Sequence, residues 1–130
     1  MAERWWHTVP EIADHVRENL AVGDQTHALR VLTDGINALE RIDLVDMDGA
    51  LDEPTTLGDR RWDLLLAATL RYRLHQMGRT APRWTLKKPL DKFWFPFCYS
   101  TSDAYIAMAH SPAELSRFGI FLDERNFAQA

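Results

Sequence analysis

The chain has one cysteine, Cys98, so no intrachain disulfide can form, which fits a reducing compartment. Long apolar runs are also missing. The longest, Leu64 to Ala68, falls far short of a membrane span. The opening MAERWWHTVPE lacks the long apolar core of a secretory signal. A cytoplasmic protein with no membrane partner is therefore expected. There is no Gly-rich phosphate loop and no G-x-S-x-G elbow. The histidines His7, His15, His27, His75 and His110 include no pair four residues apart, and Cys98 has no second cysteine near it. No metal and no cofactor is expected from such scattered ligands. Cys98, flanked by Phe97 and Tyr99, reads as a small apolar residue rather than a nucleophile.

Large aromatic residues are plentiful. Five Trp and six Phe in 130 residues allow efficient burial, and the hydrophobic (46%) and charged (26%) shares are those of an ordinary globular domain. One domain over residues 1–130 is expected. The rings concentrate in Pro82 to Tyr99, PRWTLKKPLDKFWFPFCY. Pro89 and Pro96 each remove a backbone donor, so neither a regular helix nor an interior strand suits the stretch. Helices on either side are the simplest way to hold it.

Helical spacing accounts for most of the remainder. An N-terminal arm (1–7) carries the adjacent Trp5 and Trp6, of which at least one should dock on a neighbouring surface. Thr8, Pro10 and Glu11 open a first helix with Ile12, Val16 and Leu20 on one stripe, closed by Gly23. Asp24 caps a second, about Gln25 to Arg41, where Gly35 lowers helix propensity by about 1 kcal/mol relative to Ala. Residues 42–58 read as an acidic loop. Asp59 caps the strongest helix, about Arg60 to Met77, and Gly78 stops it. Thr101 or Ser102 caps a fourth helix through Ala109. Ser111, Pro112 and Glu114 form a capping box for a short fifth. Ile120 to Leu122 is strand or extended, and Asp123 caps a last turn. The fold expected is all-α: about five helices, with the irregular Pro/aromatic segment between helices three and four.

Charge is unevenly distributed. Residues 1–58 hold twelve acids against four bases, and residues 59–130 hold seven against eleven. Between Asp59 and Phe93 there are nine Lys or Arg and three acids, interleaved with Trp62, Tyr72, Trp84 and Phe93. Basic grooves with stacking rings hold single-stranded nucleic acid, so a nucleic-acid-binding regulator using region 59–99 is the alternative reading. The overall acidity opposes it. Leu44 to Leu51, LVDMDGAL, looks like the D-x-D-G nucleophile motif of haloacid-dehalogenase phosphatases, in which Asp46 would attack and Asp48 serve as acid/base. It follows a helix, has a short apolar lead-in and lacks a later acidic pair, so the phosphatase is the least favoured reading. A calcium loop fails too. With Gly49 at its sixth position, Leu44 falls at the first and Thr55 at the twelfth.

Five motifs together carry a resemblance: GDRRWDLL from Gly58, APRW from Ala81, WFP from Trp94, SPAEL from Ser111 and GIFLD from Gly119. The chain resembles a largely uncharacterised group of small actinobacterial domains, found alone or behind a helix-turn-helix module in toxin–antitoxin-like gene pairs. The resemblance covers roughly residues 55–130. It carries over no catalytic residue. Because the N-terminal half lacks a helix-turn-helix pattern, it implies binding to a toxin rather than to an operator. The expectation is a non-enzymatic, antitoxin-like or regulatory protein that binds a cognate protein through Arg71, Trp84, Lys88, Phe93, Trp94, Phe95 and Phe97.

Overall fold

Thr8 begins the first helix by a reciprocal cap. Its hydroxyl accepts from the Glu11 amide at 3.3 Å, and the Glu11 carboxylate accepts from the Thr8 amide at 2.9 Å. Helix α1 (Val9–Ala21) ends at a turn where Gly23 has φ +77°, a conformation that costs glycine little. Asp24 caps α2 (Gln25–Ala38) through the His27 amide. The expected extension to Arg41 is met by a tighter winding, a 3-10 turn over Leu39–Arg41. Ile12 meets Gly35 across the pair, so α1 and α2 run antiparallel about the Gly23 turn. The computed structural model describes residues 5–42 and 49–127.

The core centres on α3 (Arg60–Gln76). Trp62, Leu64 to Leu70 and Leu74 are all buried, so the helix is covered nearly all round rather than along one stripe. Leu64, Ala67 and Ala68 are buried as well as the stripe positions because α3 meets α2, the 83–85 turn and α5. Asp59 caps it by accepting from the Arg61 amide at 2.9 Å.

The described part of the acidic loop is pinned at both ends. Arg17 of α1 donates to the Thr55 and Thr56 carbonyls at 3.1 and 3.2 Å. Asp63 of α3 accepts from the Thr56 hydroxyl at 2.6 Å and the Leu57 amide at 2.7 Å. The Val9 amide donates to the Ala50 carbonyl at 2.7 Å, and both Ala50 and Leu57 are buried. This loop helps to close the core.

The aromatic stretch begins with a 3-10 turn at Arg83–Thr85 and continues irregularly. On the α3 side Trp62 holds it, edge to face with Trp94 at 5.9 Å between centroids. On the other side the support is extended chain instead of a helix. Leu90 and Trp94 amides donate to Phe118 and Gly119 carbonyls at 2.9 and 2.8 Å, and the Phe121 amide donates to the Trp94 carbonyl at 2.9 Å. Trp94 and Ile120 form an isolated parallel bridge, and no longer strand occurs among the described residues. The prolines explain the brevity, since they interrupt the supply of donors needed to extend a ladder.

Helix α4 (Thr101–His110) starts one or two residues earlier than the caps expected at Thr101 or Ser102 would give, because Ser100 accepts from the Asp103 amide at 3.1 Å. Helix α5 (Ala113–Ser116) shows a larger difference. Pro112 occupies the cap position, and no side chain caps the helix. The Ser111 hydroxyl instead donates to the Ile120 carbonyl and accepts from the Leu122 amide, both at 3.3 Å. Those backbone groups lack a full strand partner, so they draw the hydroxyl away from the helix end. Asp123 accepts from the Arg125 amide at 3.0 Å, and a final 3-10 turn covers Glu124–Phe127. The described residues thus make an all-α domain of five helices, and none is long and apolar enough to cross a membrane.

Candidate functional site

Of the seven residues expected to bind a partner, Lys88 and Phe93 are exposed and the other five are half-buried. Trp84 is half-buried, and its indole donates to the Leu51 carbonyl at 2.8 Å. Arg71 is half-buried and donates to the Thr85 hydroxyl at 3.0 Å. Lys88 is exposed, while its carbonyl and that of Pro89 are held by Arg60 at 2.6 and 3.1 Å. Trp94 is covered on one side by Trp62 and has the Arg61 guanidinium 5.0 Å from its ring centroid. Phe93 and Phe95 both pack on Phe121, each at 5.1 Å, but Phe93 is 68% exposed and Phe95 half-buried. Phe97 is half-buried at φ +63°, the one described non-glycine residue in the left-handed region. The surplus of rings is therefore largely absorbed by the core and its rim. At the N-terminal arm the half-buried Trp6 packs against the core while Trp5 stays exposed, so one ring docks, as its pairing with Trp5 suggested.

The main exposed apolar surface lies on α4. Ala107 is the only buried residue of this helix. Tyr105 is 69% exposed, Met108 51% and Ile106 41%. Tyr99, just before the helix, is 83% exposed, and its amide donates to the Asp103 carboxylate at 3.0 Å, which ties it to the first turn. The outward residues Thr101, Ser102, Tyr105, Ile106, Met108 and Ala109 carry no charge. A helix face that stays in water normally carries charged groups, so this one has the composition of a covered surface. Two hollows border it. Tyr99 lines a groove of about 420 Å³ against Leu29 and Arg30 of α2, and Ile106 lines a smaller hollow with Phe97 and Leu122.

Periodicity assigned α4 to a helix but did not show which face the protein leaves bare. Tyr105, Ile106 and Met108 were consequently not singled out. The available signal was an apolar helix whose only charged neighbours in sequence, Asp103 and the titratable His110, lie to one side of it.

Local electrostatics follow from close contacts. Burial alone would raise the Asp59 carboxyl, but hydrogen bonds from the Arg61 side chain and amide, with the Arg61 charge, hold it below its usual range. Asp123 is lowered chiefly by the Arg125 guanidinium, which lies 2.6 Å away. The Cys98 thiol is pushed up by burial and by the Asp103 charge, so it stays protonated and weakly nucleophilic at neutral pH. His7 and His15, eight residues apart, meet edge to face at 5.0 Å beside a groove of about 380 Å³ that His27 also lines. Among the described residues no group of three His, Cys, Asp or Glu side chains could hold a metal ion. Asp46 and Asp48 of the phosphatase-like motif, with Leu44 and Val45, lie outside the described residues. No protein family, no curated protein and no solved structure matches the chain.

Proposed function

We propose that this chain is a non-enzymatic binding protein, antitoxin-like or regulatory, that docks a cognate protein on the uncharged face of α4. The exposure of Tyr105, Ile106 and Met108 on a helix that buries one residue carries this reading. Tyr and Met are favoured in interface cores, where charged residues are depleted. A ten-residue helix is about 15 Å long, so it supplies a central strip, and Tyr99 with its groove widens it. The antitoxin character rests on the resemblance of residues 55–130 described above.

Co-expression with the product of the adjacent gene tests this. The native chain is expected to co-purify with that product and relieve any toxicity, and Tyr105→Glu/Met108→Glu to do neither while melting normally. Equal retention by the double variant would remove α4 as the site, and failure of the native chain to bind would remove the antitoxin reading.

One observation favours the alternative nucleic-acid reading: Phe93, Lys88 and Lys92 are all exposed within the basic run. The other interleaved rings are engaged. Trp62 is buried, Tyr72 packs on Phe127 at 5.5 Å, and the Trp84 indole is bonded to Leu51. This reading requires affinity that falls with salt and weakens in Lys88→Ala/Lys92→Ala. Binding insensitive to both would dismiss it.

A further inference from the structure

Away from α4, the chain 86–90 borders a solvent-open cavity of about 240 Å³ beside α3 and α5. Arg71 of α3, Lys87 and Arg117 line it, with one acid, Glu114. Leu86 and Phe118 supply an apolar wall. The 86–90 chain is fixed at both ends. Arg60 holds the Lys88 and Pro89 carbonyls, and the Leu90 amide donates to the Phe118 carbonyl. Arg71 is also fixed, since one of its nitrogens donates to the hydroxyl of Thr85, which is fully buried and donates in turn to the Pro82 carbonyl at 2.5 Å.

The local acids do not balance these cations. Glu114, the one acid in the lining, supplies a single charge against three cations and hydrogen-bonds His75, 2.9 Å away. Lys87 leans toward Glu53 at 3.5 Å and has its ammonium 5.8 Å from the Trp84 ring. Among the described residues neither Arg71 nor Arg117 has a carboxylate within ion-pair distance. Two guanidiniums without a carboxylate partner line one small cavity, and an oxyanion there can accept their planar donors and offset their charge. Arg71, already held by Thr85, loses little freedom in accepting such a ligand.

We propose that this cavity binds a compact oxyanion group, phosphate or carboxylate, on a small apolar body that rests against Leu86 and Phe118. This goes beyond the docking reading and shares no residue with the α4 face.

The test is titration of the full chain at low ionic strength, by calorimetry or heteronuclear NMR, with inorganic phosphate, phenyl phosphate, acetate and benzoate. Saturable binding is expected, with the aryl probe tighter than its small counterpart in at least one pair. The pair that binds better identifies the oxyanion. Arg117 is exposed, so Arg117→Glu should keep the native melting temperature and lose affinity by about tenfold or more. Arg71→Lys keeps the charge but loses the fork, and should weaken binding less. Arg83→Glu, at an exposed position outside the cavity lining, should leave it intact. No saturable binding by any probe, or equal losses in Arg117→Glu and Arg83→Glu, would overturn the site. The Tyr105→Glu/Met108→Glu chain should bind the probes normally, so failure of the docking surface and failure of this cavity are separable.

Discussion

Gly35 sits inside α2, where alanine would improve helix propensity by about 1 kcal/mol. The structure nevertheless predicts that Gly35→Ala destabilises the protein. A methyl group at this position would lie 2.8 Å from Ile12 Cγ1, 3.0 Å from Cδ1 and 3.2 Å from Cγ2. Comfortable carbon contacts are about 3.5–4.0 Å. Ile12 is only 1% exposed, and as a β-branched residue in a helix it is held to one main rotamer, so it cannot swing clear. The helices must separate instead, and overpacking of this kind costs about 1–3 kcal/mol. Net of the propensity gain, a loss of about 0–2 kcal/mol remains. Urea unfolding of Gly35→Ala, Ile12→Ala and the double variant isolates the effect. Ile12→Ala alone should cost about 2–5 kcal/mol. In that background the clash is gone, and Gly35→Ala should stabilise by about 1 kcal/mol. The two sites should therefore couple by about 1–3 kcal/mol. If Gly35→Ala stabilises both backgrounds equally, α1 and α2 do not touch there and the reasoning fails.

Asp59→Asn keeps a capping residue but removes the charge paired with Arg61. The folded carboxyl lies below its ordinary 3.8, so its contribution is present above that pH and disappears as pH falls through the folded value. Denaturation across acid pH should show the native advantage over the variant shrinking toward zero; an advantage that grows on acidification would contradict this. Asn37 is 3% exposed, donates to the Phe127 carbonyl at 3.0 Å and accepts from Arg73. Asn37→Ala should cost about 1–3 kcal/mol by removing both of its bonds, with Arg73 and the Phe127 carbonyl left only each other at 3.2 Å across this junction; urea unfolding reads the loss, and a cost below about 0.5 kcal/mol would show the network to be dispensable. Tyr105→Lys should change stability by no more than about 0.5 kcal/mol, since the ring is largely in water; a larger loss by thermal melting would mean that α4 packs more tightly than described.

Helix identities, caps and stops were largely legible in the sequence, because they depend on residues a few positions apart. Thr8 with Glu11, Asp24, Asp59 and Gly23 act locally, and each does what its residue type suggests. Where a local signal failed, a distant group intervened. Ser111 left the start of α5 for the backbone of Ile120 and Leu122, nine and eleven residues away.

The candidate sites were less legible because they depend on which faces the core leaves uncovered. Composition showed an abundance of large rings but not their destinations. Trp84 and Trp94 were drawn inward by Leu51 and Trp62, whereas α4, unremarkable in its spacing, was left with Tyr105 and Met108 in water. The meeting of Arg71, Lys87 and Arg117 around one cavity joins three separate segments. By itself the sequence determined five helices and where the first three begin, since hydrogen bonding and side-chain periodicity act within a turn or two. Tertiary structure alone decided why Gly35 is a glycine, which aromatic rings remain outside, and where unpaired cations gather, because those are consequences of residues brought together across the whole chain.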